Sequence, residues 1–340
     1  MLTIARSLNV EIVAPASGWI ASFASSPRIV HIITRAVDIS TGYEFGDEAL
    51  SPVEGKIETI KQIDAGRGPY SSTDYIIVIR CGKLFVRITH VAPSVLPGDY
   101  VYVGDPIGRY LKTNSVLPYS PPHMHIEVAS AKVSRCPNNI KKIFPAPHLI
   151  EFLKGSSTRA YEPRKLRARV VHASNDYTIL QPVEGGAGLS VLASGKEAVL
   201  DAELRSKTIY VGLIPVDRKR LRPVGAIVFL GAKLGQIKRE FRVLAIGVSA
   251  IGPYIYKYTD LEDEDPWNLA EEPPKMILRT AIEIRINGEK VDALRVFPGT
   301  LGCILAPRRI DDSYVDIEIR NIHPVLLESD SEDDDAYLCL

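Results

Sequence analysis

The chain has 340 residues, 46% of them hydrophobic and 24% charged, with 41 Lys and Arg against 41 Asp and Glu. Such a length suits two ordinary domains of roughly 100–200 residues each, and the balanced charge excludes a global basic field of the kind that draws nucleic acid or anionic membrane. No apolar run approaches the ~18 residues of a spanning helix. The start, MLTIARSLNVEIVAPASG, lacks the basic opening and apolar stretch of an export signal, so a cytoplasmic location is expected.

In chain order, short β-rich runs dominate the first half. Tyr75–Ile79 and Lys83–Ile88 are examples, set off by turns at Arg80-Cys81-Gly82-Lys83 and Leu96-Pro97-Gly98-Asp99. PHLIEFLK, starting at Pro147, predicts one short helix with Gly155 as its stop. Residues 155–169 then read as a polar, basic linker carrying Arg164, Lys165, Arg167 and Arg169, a solvated run. Strands follow over Val170–Leu180, Lys207–Ile214, Ala226–Leu230, Ala281–Ile286 and Tyr314–Ile319. An acidic excursion surrounds Pro266, and residues 328–340 form an acidic tail. The expected organisation is a β domain over 1–154, a linker over 155–169, a second β-rich domain over 170–327, and the tail.

The motif Pro52-Val53-Glu54-Gly55 recurs as Pro182-Val183-Glu184-Gly185, and Gly104–Gly108 has a counterpart in Gly231–Gly235. Glycine turns at such intervals suit a barrel-sandwich hybrid, with the second half a degenerate repeat; chance recurrence of common turns is the other reading. Cys81, Cys136, Cys303 and Cys339 are widely spaced and read as buried free thiols, neither a disulfide framework nor a zinc finger.

Four of the seven histidines lie between His31 and His125. In His123-Met124-His125 the two imidazoles stand two residues apart, so on a strand they share one face. Upstream, Thr89-His90-Val91-Ala92 ends a hairpin strand, and Val95–Val101 with Val103–Gly108 supplies two glycine-aspartate turns. Further upstream stand Ala36-Val37-Asp38-Ile39 and Leu50–Ile57. His148, His172 and His323 stand alone, as ordinary surface histidines do.

In this order, over roughly Ala14 to Ala129, the segments resemble the LytM-type M23 zinc metallopeptidases, which share a histidine after a hairpin, a glycine-aspartate segment and an HxHxE strand. The resemblance implies a mainly β fold: an M23-like antiparallel sheet or barrel-sandwich hybrid followed by a second β-rich domain. It implies zinc held by Asp38 and His125, assisted by His90 and His123, hydrolysing a peptide or protein substrate. The family's first ligand falls on Thr34, and the nearest histidine is His31, seven residues before Asp38. In a regular strand that odd offset turns His31 away from Asp38, so His31 as third ligand requires a bulge. Two readings follow: a zinc peptide hydrolase completed by His31, or a catalytically inactive M23-like module that binds a peptide or protein. The sequence does not specify an oligomeric state.

Overall fold

The computed structural model describes residues 1–24, 29–32, 35–132, 139–162, 164–193, 195–205, 209–216, 225–237, 246–249, 254–257 and 282–321. The acidic excursion around Pro266, the tail, Thr34, Cys136, His323 and Cys339 lie outside them.

The protein is mostly β. In the first half an antiparallel sheet runs, by strand, Tyr100–Val101, Gly55–Asp64, Thr73–Cys81, Leu84–Thr89, Met124–Ala129, Ala36–Ser40 and Ile20–Ser22. Period-2 alternation gives it two unlike faces. Val37, Ile39, Ile77, Ile79, Val86, Ile88, Ile126 and Val128 are fully buried on one of them. The other carries the polar set, because His125 pairs with Asp38 on one side and with Thr89 on the other. The hairpin Thr73–Cys81 to Leu84–Thr89 turns at Gly82, whose φ of +62° suits glycine.

The helix spans Pro147–Ser156, so Gly155 lies inside its last turn instead of ending it, and the cap is Ser157. The expected linker, 155–169, contains the short strand Thr158–Arg159 and the start of the strand Lys165–Ala173. Its basic run is the outer face of that strand: Leu166 and Ala168 are buried, while Lys165 points outward to Asp316 at 3.0 Å. The single strand expected over Val170–Leu180 is two strands, Lys165–Ala173 and Thr178–Pro182, folded at Ser174–Tyr177. Ser174 drives that turn, its hydroxyl accepting from the amides of Asp176 and Tyr177.

The halves press together along residues 18–24. Thr300 Oγ1 accepts from the Gly18 amide at 2.8 Å, Pro298 O from the Ala21 amide at 2.8 Å, and Asp201 Oδ2 from the amides of Phe23 and Ala24 at 2.5 and 2.8 Å. The approach needs glycines: a Cβ on Gly212 would stand 2.4 Å from Ala24 Cβ, and one on Gly299 would stand 2.9 Å from Trp19 O. One apolar cluster joins Trp19, Phe23 and Val37 to Val199, Ile214 and Val216. Of the cysteines, Cys303 is buried and Cys81 half-buried, both as free thiols.

Candidate metal centre

Three elements converge on one point. The strand Ala36–Ser40 brings Asp38 beside His125 on Met124–Ala129, in direct register. His31 arrives from a single helical turn, Ile29–Ile32. No strand bulge is involved. The parity argument that turned His31 away assumed extended backbone, and a helical turn does not follow it. The His31 ring is fully buried, with Nε2 3.1 Å from Asp38 Oδ1 and 3.2 Å from His125 Nδ1. His125 Nδ1 is 2.8 Å from Asp38 Oδ1.

The protonation pattern follows from the outer partners. His31 Nδ1 donates to Phe23 O at 3.1 Å, which leaves Nε2 as the nitrogen turned toward Asp38 and His125. That carbonyl belongs to the segment whose amides Asp201 grips, so the second half of the chain helps to aim His31. On the far side of His125, Nε2 faces Glu127 Oε1 at 3.5 Å, and Glu127 Oε2 is 3.0 Å from Arg87. Burial works against an ionised Asp38, but His31, His123 and the bond from His125 outweigh it and hold the carboxyl well below its usual range. Burial likewise opposes charge on His125, yet the bonds to Asp38 and Glu127 prevail and raise it to about 9.

Two imidazole nitrogens and a carboxylate oxygen aimed at one buried point need protons or a cation between them. Their mutual separations, 2.8, 3.1 and 3.2 Å, approach the roughly 3.4 Å expected of donors placed tetrahedrally about 2.1 Å from zinc. The donor set therefore fits zinc, with His31 Nε2, Asp38 Oδ1 and His125 Nδ1 as the atoms that would hold it. Because metal and proton compete for Nδ1 of His125, Glu127 is the lever that fixes this ring. Glu127→Gln is expected to weaken zinc affinity by about 10–100-fold, measured by competition with a chelating dye.

His90 and His123 stand beside the three donors. Their ring centroids are 5.3 Å apart, and His90 is 6.3 Å from His125. His123 Nδ1 donates to Pro121 O at 2.8 Å, leaving Nε2 directed toward Asp38 Oδ2 at 3.9 Å. Burial is the main reason that His123 is lowered to about 4, so the ring is neutral at neutral pH. His90 sits at φ +66°, a left-handed conformation that costs a non-glycine residue about 1–3 kcal/mol. Buried Asp74 holds it there, accepting from His90 N at 3.0 Å and from Nδ1 at 2.6 Å, with further donors at Tyr75 N and Ser115 Oγ. His172 lies elsewhere, stacked on Tyr43, and His148 is exposed on the helix.

Residues 14–139 match the family model described as the N-terminal domain of a domain of unknown function, DUF8155. Comparison with curated proteins finds no match. Among solved structures, the catalytic domain of the antimicrobial peptidase lysostaphin from Staphylococcus simulans is 18% identical, over 36% of this chain and 84% of its own, at a TM-score of 0.27. The M23 metalloprotease pseudoalterin from the deep sea is 15% identical, over 41% of this chain and 91% of its own, at 0.24. A longer lysostaphin structure from the same Staphylococcus is 12% identical, over 72% of this chain and 85% of its own, at 0.27.

Two residues that hold histidines of this cluster had no assigned role in the sequence. Asp74 gave no local signal, because it reaches His90 only across the folded hairpin. Glu127 was visible as the third member of the period-2 series with His123 and His125, although the spacing alone did not give it a partner. No described helix is long and apolar enough to cross a membrane.

Proposed function

We propose that the first half of the chain is a zinc-dependent hydrolase of peptide bonds. The observation that carries this reading is the convergence of His31 Nε2, Asp38 Oδ1 and His125 Nδ1, the two rings held by Phe23 O and Glu127, beside two further histidines. Zinc, when bound, supplies Lewis acidity and a water ligand acidified to a pKa of about 7.

The chain's own residues do the rest. Neutral His123, its Nδ1 committed to Pro121 O, presents Nε2 as the acceptor of a proton from the attacking water. His90, its Nδ1 proton engaged by Asp74, has Nε2 left for the substrate and becomes a donor to charge developing on the carbonyl oxygen when the ring is protonated. The Asp74–His90 pair thus follows the orienting logic of base and carboxylate known from triad enzymes. Three protein ligands with an open fourth position are the arrangement of hydrolytic zinc sites, whereas structural sites are closed by four.

The second reading, an inactive module that binds peptide, draws support from the second half of the chain, whose Arg295 and Phe297 wall the cleft beside His123 and leave it narrow. Zinc-loaded protein incubated with a mixed peptide pool separates the two. The hydrolase reading expects new peptide termini by mass spectrometry, suppressed by chelator and lowered at least about 100-fold in His123→Ala, within the range general acid–base groups contribute. Zinc retention without any cleavage supports the binding module.

A further inference from the structure

The strand Lys196–Arg205 belongs to the second half of the chain, yet one of its carboxylates reaches the metal centre through a single peptide group. Asp201 is 1% exposed. Its Oδ2 accepts from the amides of Phe23 at 2.5 Å and Ala24 at 2.8 Å, and its Oδ1 accepts from the Ser22 hydroxyl at 3.3 Å. The carbonyl joined to the Ala24 amide is that of Phe23, and its oxygen accepts from His31 Nδ1 at 3.1 Å.

The peptide between Phe23 and Ala24 is trans. Such a group is planar and turns its N–H and C=O to opposite sides, so Asp201 stands at one end of it and His31 at the other. A carboxylate bound at the N–H polarises the group and makes its oxygen the stronger acceptor. Imidazoles that hold zinc donate their other N–H to a carboxylate or a backbone carbonyl, which orients the ring and raises its basicity. Here the two occur in series.

Packing keeps the series in place. Asp201 pairs in register with Gly212 on the strand Ile209–Pro215, and a Cβ on Gly212 would stand 2.4 Å from Ala24 Cβ. Ser22 in turn pairs in register with Asp38, so the segment that Asp201 grips also lies beside a second donor.

Resting on the metal-centre reading, we propose that Asp201 is a positioning residue for zinc, acting on His31 through the Phe23–Ala24 peptide. The second half of the chain is then a working part of the centre, and the substrate's identity does not enter.

The experiment compares the full-length protein with Asp201→Ala, Asp201→Asn and a control on the same strand, Glu203→Gln. Glu203 is fully buried and accepts from Tyr119 at 2.9 Å, so the control disturbs the contact between the halves at another point. Zinc affinity is read by competition with a chelating dye, and the His31 Nδ1 proton by NMR of the zinc-free protein. Asp201→Ala is expected to lose about 10–100-fold in affinity, the cost of removing an outer partner of a ligand, together with the slow solvent exchange of that proton. Asp201→Asn, which keeps an acceptor and not the charge, should lose less, and Glu203→Gln should keep the wild-type affinity. Equal affinity in the wild type and both Asp201 variants, or an equal loss in Glu203→Gln, overturns the proposal. So does a wild type whose His31 Nδ1 proton exchanges freely, an arm that depends on no variant folding. A proton protected in the wild type and released in Asp201→Ala, with no zinc taken up by either, overturns the metal-centre reading and leaves the link from Asp201 to His31 standing.

Discussion

Replacing His125 by alanine is expected to empty the metal centre. The wild-type protein should carry about one zinc per chain, by the coordination logic of three converging donors. Losing a partner one shell out costs about 10–100-fold in metal affinity, and His125 donates directly, so the loss should exceed about 100-fold. His148→Ala, exposed on the helix Pro147–Ser156, should retain full zinc. Elemental analysis after dialysis against a weak chelator measures both. Equal zinc in the two variants contradicts the assignment.

Asp74→Ala should produce the largest loss of stability of any single substitution near the site. Asp74 is 1% exposed and accepts from His90 twice, from Tyr75 and from Ser115. Removing one partner of a buried pair of this kind costs about 3–5 kcal/mol. His90 would also lose what holds it at positive φ. Burial alone would raise the Asp74 carboxyl, but the bonds from His90 outweigh it, and the folded value lies below the usual one. A carboxyl depressed on folding contributes stability above its unfolded pKa of about 3.9 and loses it as pH falls through the folded value. The wild type should therefore lose stability below about pH 4 more steeply than Asp74→Ala, as urea unfolding at several pH values will show. Parallel pH profiles would mean that Asp74 is not ionised in the fold.

What could be read in the sequence depended on whether the chemistry was local. The place of His125 was legible because strand periodicity is a local rule and His125 stands in register with Asp38, whereas His123 lies immediately before the strand Met124–Ala129. His31 was only half legible. Its identity as a candidate followed from proximity to Asp38, but its geometry was reasoned as strand, and the backbone over Ile29–Ile32 is a helical turn. No glycine or proline within the turn marks the change.

The remainder was not legible for a physical reason. Asp74 meets His90 across a hairpin, and Arg295 reaches the cleft from the second half of the chain. Contacts of that kind are set by sheet pairing and packing, which leave no fixed spacing in sequence. The mainly β character was plain from the β-branched runs, and it is what the structure contains. The fold of residues 165–182 was less plain, because the turn at Ser174–Tyr177 depends on a side-chain hydroxyl accepting from two amides ahead of it in the chain.

The most direct measurement of the central claim is a crystal structure of zinc-loaded protein with anomalous data on both sides of the zinc absorption edge. The account predicts one strong zinc peak about 2.0–2.2 Å from a donor atom on each of His31, Asp38 and His125. His90 and His123 should lie beyond bonding distance but face the open coordination position. A zinc peak that leaves His31 uncoordinated, or no peak among these three residues at all, would contradict it.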